Sequence, residues 1–233
     1  MPIDKHQIIN GEDLSGEGLA WLDLSGISLF QVNFSDANLT RTNFSNALVD
    51  YSNFARAVLM RANLRKARMP YSDFTNADMS YADLFNADLS HSVLIRANLK
   101  KAKMVSADLS TTDLSASNLS GADLSKANLE HSYLNFADLS GANLQNAKLY
   151  GADLSNADFE GANLSGAYFG GADFSFSNLK NANLKGADLR GANLLLLGYP
   201  NRHRKPWVLP LPNVNFDGAH LSGARMPDGT IHP

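Results

Sequence analysis

The chain has 233 residues, a formal net charge of −3 and no cysteine. The lack of cysteine excludes disulfides, zinc–thiolate sites and thiol catalysis. The small net charge creates no overall demand for a polyanionic partner. The charge is unevenly placed, however: residues 1–40 sum to −5, 41–103 to +5, 104–196 to −5 and 197–233 to +2.

The N-terminal residues, MPIDKHQIINGEDLSGEG, contain no apolar run of signal-peptide length. No run elsewhere is long enough to cross a membrane. We therefore expect a cytoplasmic protein without a membrane partner. Residues 1–13 precede the regular part of the sequence, and we expect them to form an N-terminal cap. Its apolar residues, Ile3, Ile8 and Ile9, would lie across the open end of the structure that follows.

Residues 14–194 repeat with a period of five. Every residue whose number ends in 4 or 9 is Leu, Phe, Met or Val, over 37 pentads without a break. The residue two positions earlier is small: from 32 to 192 it is Ala 24 times, Ser six times, Thr twice and Val once. In an α-helix five residues advance about 500°, so the apolar residues would line no face. In an extended chain residues i and i−2 point the same way, so the pattern predicts that both lie inside.

A chain that buries two residues in five and then resets must turn after each pentad. The pattern therefore predicts a solenoid of short straight segments joined by tight turns, with coils stacked about 4.8 Å apart. Phe34, Phe54 and Phe74 are 20 apart, which favours four pentads per coil. The inner small positions of the first pentads hold Glu12 and Glu17, so we expect these pentads to be irregular.

The stretch ADLSKANLEHSYLNFADLSGANL resembles the A(D/N)LXX signature of the pentapeptide repeat family. The resemblance covers about residues 14–194 and resumes at 214–226 in VNFDGAHLSGARM. The ending LSGARMPDGTIH is similar to the tail of some cyanobacterial members. The resemblance implies an all-β solenoid, a right-handed quadrilateral β-helix of about nine coils. Such a rod would be about 45 Å long at the strand spacing.

The repeat register breaks after Leu194. The next segment, 195–213, has four prolines, which cannot donate ladder hydrogen bonds, together with several large apolar residues. We expect a loop insertion that caps the last coil. The alternative is a partner-binding loop built around the stretch RHRKPW. Inner apolar residues return at 216, 221 and 226, so we expect 214–233 to form a final partial coil and a C-terminal tail.

Nothing in the sequence points to catalysis. It contains no phosphate-binding glycine loop, metal triad or nucleophile motif. His91 and His131 would lie two coils apart, about 9.6 Å, which is too far to share a metal ion. The aspartates that precede inner apolar residues suit hydrogen bonding along a wall better than paired-carboxylate catalysis. We therefore expect no enzyme activity, cofactor, metal or small-molecule substrate.

Departures from the repeat on the outer surface are where a binding function would be encoded. On the side built from 41–45, 61–65, 81–85 and 101–105 the outer residues are basic and aromatic, whereas 121–125 returns to consensus. Arginine and aromatic residues are enriched in binding hot spots, so we predict a docking site for an acidic protein. The alternative is drift on a tolerant surface. This site, the basic-aromatic strip, consists of Arg41, Arg61, Arg65, Tyr81, Phe85, Lys101 and Lys103.

Two further features surround the strip. Lys66 and Arg68 extend its charge around the corner. A second candidate surface places apolar side chains on an outer wall, which indicates self-association or contact with a partner. We expect this surface on the side next to the strip. Its residues are Tyr51, Tyr71, Val93, Ile95, Tyr133 and Phe136.

The leading hypothesis is a non-enzymatic rigid scaffold or regulator, monomeric or homodimeric, that binds another protein through one side of the solenoid. The alternative follows from the resemblance, because some pentapeptide repeat proteins modulate DNA gyrase or topoisomerase by mimicking a DNA duplex. The acidic section 104–196 is compatible with mimicry, whereas the +5 charge of 41–103 argues against it. A direct nucleic-acid partner is not expected, because the ten bases of 41–103 are offset by five acids.

Overall fold

The protein is a four-sided β-solenoid. The computed structural model describes residues 8–194 and 214–233. Parallel bridges join residues 20 apart, from Asp13↔Asn33 at one end to Asp173↔Asn193 near the other. One coil is therefore four pentads, as predicted, and residues 14–194 make about nine coils.

The β-structure consists of very short strands and single bridges. Two strands of three residues occur, β1 (Ser28–Phe30) and β2 (Leu48–Asp50), and they pair in parallel. The other sides of the described coils contribute single bridge residues, one per pentad. Each pentad is too short for a longer strand, because the chain turns a corner every five residues.

Both inward positions of the pentads are buried. The apolar residues from Leu14 to Leu194 and the small residues from 32 to 192 are all at most 7% exposed. Phe34, Phe54 and Phe74 stack along the axis, with ring centroids 4.9 and 4.7 Å apart. This spacing is that of paired strands, and it confirms that residues 20 apart lie in one column.

The corners are tight turns that require a positive φ at one residue. At one of them Thr42 N–H donates to the carbonyl of Leu39 over 3.0 Å, and Arg41 between them has a φ of 58°. A positive φ at the third turn residue is what a type II turn requires, and glycine or asparagine adopts it most readily. Yet 26 non-glycine residues of the described chain have a positive φ, most of them at these corners. The corner side chains project outward from the rod.

The outer walls carry ladders of polar side chains. On the side that bears the strip, Asn43 Nδ2 donates to Asp23 Oδ1, and Asn63 Nδ2 donates to Asn43 Oδ1, both over 2.9 Å. Elsewhere the carboxylate of Asp113 accepts from the N–H of Ser115 at 2.9 Å. The aspartates and asparagines thus hydrogen-bond the wall, as the sequence predicts.

The first coil differs from the prediction. Its bridges are regular, including Asp13↔Asn33 and Gly18↔Asn38, so the expected irregularity is wrong. Glu17 is exposed, and the Glu12 carboxylate accepts the N–H of Ile9 at 2.8 Å. Among the described residues no coil precedes this one, so its inner positions can hold glutamate. Ile8 is buried, whereas Ile9 is 66% exposed; Ile3 lies outside the described residues.

The last described segment continues the solenoid after an insertion. Asn215, His220 and Arg225 pair in parallel with residues 37 earlier, which is 17 more than one coil. The chain then reverses, and Arg225↔Ile231 is an antiparallel bridge. Residues 195–213 lie outside the described residues, so the choice between cap and partner loop stays a prediction, as does the proposed division of the chain into four segments.

Candidate protein-binding site

One corner of the solenoid carries a continuous column of large side chains. Its members recur every 20 residues and share a positive φ of 55–66°. Each backbone is fixed by the coil that follows; for example, Arg41 N–H donates to the carbonyl of Met60 over 3.0 Å. The side chains therefore leave the rod in one direction at one-coil intervals. In chain order the column is Trp21, Arg41, Arg61, Tyr81 and Lys101.

Three of the four neighbouring pairs in this column contact one another through cation–π interactions. The Arg41 guanidinium lies 4.4 Å from the ring centroid of Trp21. Tyr81 has a cation on both sides, with Arg61 at 5.6 Å and Lys101 at 5.9 Å. Each contact contributes about 0.5–1 kcal/mol at an exposed site. The aromatic rings thus orient long basic side chains that would otherwise sample many rotamers.

A second, shorter column runs beside the first. Arg65 lies over the ring of Phe85 at 4.5 Å and pairs with the carboxylate of Asp83 over 3.1 Å. The ring and the carboxylate are both on the next coil, so Arg65 is held against the wall. Its charge is partly balanced by Asp83, whereas its planar guanidinium remains about half exposed.

Most of the positive charge of the strip is not balanced by acidic side chains of the described residues. Within 8–194 and 214–233, Arg41, Arg61, Lys101 and Lys103 form no ion pair. Lys66 is exposed, as the predicted extension requires.

Two other arginines of the basic section, Arg56 and Arg68, are balanced by acids. Arg68, in the predicted extension of the charge, lies 3.8 Å from Asp50 and 3.6 Å from Asp88. On another corner, Arg56 makes two hydrogen bonds to Asp36 and holds the pKa of that carboxyl below its ordinary value. Among the described residues, the cations of this section that form no ion pair are the four of the strip together with Lys66, Arg96 and Lys100.

A depression of about 380 Å³ lies at the end of the strip. It forms because the strip ends there: Gly121 follows Lys101 in the corner column, and the smaller Val105 follows Phe85. Basic side chains, apolar groups and carboxylates all contribute to its lining. The lining residues are Arg65, Asp83, Phe85, Lys101, Ala102, Lys103, Val105, Gly121 and Asp123.

The structure brings the seven residues of the predicted strip together on one side and corner across four coils. The sequence reading missed Trp21, which is 68% exposed and contacts Arg41. The signal was available, because Trp21 lies one coil before Arg41 in the same column. Whether the strip binds a partner stays a prediction.

The second candidate surface is not next to the strip, so its predicted position is wrong. Tyr51 and Tyr71 lie ten residues, half a coil, from Arg41 and Arg61, and this spacing places them at the diagonally opposite corner. There Tyr51 stacks on Tyr71 at 4.9 Å, and Tyr71 stacks on His91 at 4.7 Å. His91 is a member of this column that the sequence reading did not include.

The described surface offers little for chemistry. Among residues 8–194 and 214–233, no three histidines, aspartates or glutamates are grouped so as to hold a metal ion. The same residues include no helix of the length and hydropathy needed to span a bilayer. The walls are filled by their own side chains, and the depression is open to solvent. The arrangement is suited to contact with another molecule's surface.

Comparison with known proteins defines the class. The profile described as "Pentapeptide repeats" matches in eight copies over 19–54, 43–80, 82–121, 117–156 and 157–194. The chain therefore belongs to the pentapeptide repeat family. No curated protein sequence matches it significantly.

Solved structures agree with this assignment. HetL, a pentapeptide repeat protein involved in heterocyst differentiation regulation from the cyanobacterium Nostoc sp. strain PCC 7120, is 31% identical, with 97% of this chain and 94% of that chain covered and a TM-score of 0.56. QnrB1, a plasmid-mediated fluoroquinolone resistance protein, is 20% identical over 91% of this chain and 90% of that chain, with a TM-score of 0.66. These matches confirm the predicted right-handed quadrilateral β-helix.

Proposed function

We propose that this protein is a non-enzymatic regulator that binds an acidic protein through the basic-aromatic strip. The observation that carries the proposal is the column from Trp21 to Lys101, in which exposed cations and aromatic rings stand at one-coil spacing. A rigid strip loses little conformational entropy on docking, which favours affinity. Its cations, four of which form no ion pair with the described residues, would speed association with an acidic surface and make binding sensitive to salt.

The residue types within this corner column change along the rod. A left-handed residue other than glycine costs roughly 1–2 kcal/mol, and asparagine tolerates the conformation better than most. After Lys101 the same corner is occupied by Gly121, Gly141, Gly161 and Asn181. Other corners also hold non-glycine residues at positive φ, so the contrast within this one column, and not the positive φ itself, favours function over drift.

The comparisons support this proposal at different levels. HetL is involved in heterocyst differentiation regulation, and the similarity to it supports a regulatory role for this chain. QnrB1 shares the fold, and at 20% identity that likeness carries no function. Its fluoroquinolone resistance is therefore not proposed for this chain. The cytoplasmic location stays a prediction, which cell fractionation with an antibody would test.

The test reverses charge on the strip. In the variant Arg61→Glu with Lys101→Glu, both substituted residues stay at positive φ, so the backbone cost is unchanged while the strip loses two cations. Each parent and variant protein would be immobilised and used to capture partners from cells of the native organism, at low and at high salt. We expect specific partners on the parent at low salt and their loss with the variant.

A matched control separates this effect from overall charge. Lys126→Glu with Lys148→Glu changes the net charge equally, and both lysines are exposed and lie off the strip. Lys126 also has a positive φ of 60°, which matches the substituted corner residues. The proposal requires the control to retain the partners. Equal capture by the strip variant and the parent would overturn it, and the diagonally opposite corner at Tyr71 would be examined next.

A further inference from the structure

The amide ladder on the strip side is interrupted at one place. It runs from Asn63 back to Asp23, and again from Asn183 through Asn163 and Asn143 to Asp123, with donor–acceptor distances of 2.9–3.0 Å. Between these runs stand Asp83 and Lys103. Their backbones keep the regular pattern, since Lys103 N–H donates to the carbonyl of Ala82 at 2.9 Å. Only the side-chain ladder is broken.

The interruption coincides with the depression. Lys103 is exposed, and within the described parts of the chain its side chain has no hydrogen bond or ion pair. Lys101 stands beside it, and Phe85, covered by Arg65, supplies an apolar wall. A Cβ on Gly121 would lie 3.5 Å from Lys101 Cγ, so the glycine keeps this edge open.

The charges of the lining limit what it can bind. Three cations, Arg65, Lys101 and Lys103, face two carboxylates, Asp83 and Asp123, which leaves one net positive charge. Asp83 is engaged by Arg65, and Asp123 accepts from Asn143 over 3.0 Å. One unbalanced charge matches a monoanion, whereas a phosphate, with a charge of about −2, would be under-compensated. The apolar wall calls for hydrocarbon next to that anion.

We propose that this depression binds a single carboxylate side chain and an aromatic or aliphatic side chain two residues away from it, within an extended segment of the partner protein. The carboxylate lies between Lys101 and Lys103, and the apolar group packs on Phe85 and Val105. A volume of about 380 Å³ is at the small end of ligand sites and suits two side chains. The proposal rests on the proposed function, since it names the partner chemistry of the same strip.

Because the side-chain ladder is broken at Lys103, the proposal also predicts how a substitution there changes thermal stability. An asparagine in place of Lys103 has the reach to donate to Asp83 Oδ1, as Asn143 does to Asp123. Lys103→Asn should therefore raise the melting temperature while it weakens ligand binding. If Lys103 has no role in binding, Lys103→Asn should raise the melting temperature without weakening ligand binding.

The experiment is an NMR titration of the full chain. The probes are inorganic phosphate and the blocked tripeptides acetyl-Asp-Gly-Phe-amide and acetyl-Asn-Gly-Phe-amide, which differ only in the carboxylate and place both side chains on one face of an extended backbone. We expect the Asp peptide to shift the backbone amide signals of Phe85, Lys103 and Gly121. The dissociation constant of the Asn peptide should be at least about ten-fold higher. Lys103→Asn should weaken binding of the Asp peptide by a similar factor. Lys103→Gln, which removes the charge and keeps much of the stem, is the second variant.

Each outcome is decisive. No shift up to the solubility limit of the Asp peptide, equal shifts with both peptides, or the same shifts with phosphate would overturn the proposal. Undiminished binding by both Lys103 variants would also overturn it. If the titration fails while Arg61→Glu with Lys101→Glu still abolishes capture, the strip binds by other chemistry and the proposed function stands. If the peptide binds but capture is unaffected, the site stands and the proposed function falls.

Discussion

The third residue of each corner turn in the described coils has a left-handed backbone, but the side chains at this position range from glycine to tryptophan. Ala116 has a φ of 56° and Gly141 a φ of 63°. A Cβ built on Gly141 meets no atom within 4 Å. These two positions therefore report the backbone cost with little contribution from packing.

Gly141→Ala should lower the free energy of unfolding by about 1 kcal/mol or less. The left-handed strain of roughly 1–2 kcal/mol is partly offset by the reduced entropy of the unfolded chain. The reciprocal change, Ala116→Gly, should raise stability by a similar amount. Thermal and denaturant unfolding of both variants measure the two effects. Changes of the same sign would show that φ is not what limits these corners.

At the scale of the element, the pentad wall has no room for added bulk. Ala142 is 1% exposed, and the neighbouring bridge Asn143↔Asn163 places Ala162 above it. Ala142→Leu should destabilise the rod by about 1–3 kcal/mol, since extra methylenes force backbone shifts in a packed interior. The measurement is the midpoint of chemical unfolding.

The control for this substitution is Gln145→Leu. Gln145 is exposed and lies in the same pentad as Ala142 but faces outward, so the added apolar group meets solvent. A surface change of this kind is usually within about 0.5 kcal/mol of the parent. Equal unfolding midpoints for Ala142→Leu and the parent would contradict the inward position of Ala142.

Much of this element could be predicted from the sequence, because a period of five leaves few structural solutions. The unbroken apolar positions and the small residues two before them fix which side chains face inward. The phenylalanines spaced by 20 residues indicate the coil length. The strip was predictable for the same reason, since residues 20 apart must share a column.

Other features depend on how coils are arranged relative to one another, which the sequence of a single pentad does not show. Glu12 is acceptable because its coil is the first described one, which is a fact about position and not about local pattern. The second surface was misplaced because Tyr51 is two pentads, not one, from Arg41. The depression arises from the sizes of neighbours on successive coils, Phe85 followed by Val105 and Lys101 by Gly121. Such differences become visible only when the coils are stacked.

At the scale of the whole molecule, the insertion can be removed without changing the coil register. Deleting 197–213 takes out 17 residues, so Asn215 would again follow its partner Asn178 by 20. If the segment 195–213 is a cap, this variant should associate end to end, because an uncovered solenoid end presents unpaired backbone and apolar side chains. Analytical ultracentrifugation at several concentrations measures the association.

A variant that stays monomeric and as stable as the parent would contradict the cap. The partner-loop hypothesis would then gain, and the same variant should lose partners in the capture experiment. Truncation after Leu194 is a less specific comparison, because it also removes the final coil that pairs with 178–188.

The distribution of charge along the rod gives a prediction about DNA gyrase. A protein that replaces a DNA duplex should be negative along its length, whereas residues 41–103 carry +5 and the strip leaves four cations unpaired among the described residues. We expect no inhibition of supercoiling and no protection from a quinolone. A supercoiling assay with the purified protein is the measurement. Inhibition of supercoiling at sub-micromolar protein would make gyrase modulation the leading functional hypothesis.

The 37-residue step into the last coil also affects the order in which the molecule unfolds. Coils of a solenoid contact only their neighbours, so unfolding can proceed inward from an end. Closing a 37-residue connection costs about 0.5 kcal/mol more than closing one of 20 residues. The final coil, with its hairpin at Ile231, should therefore detach first under denaturant or force. In hydrogen exchange, His220 and Arg225 should lose protection before Asn163, while the coils that carry the strip stay closed.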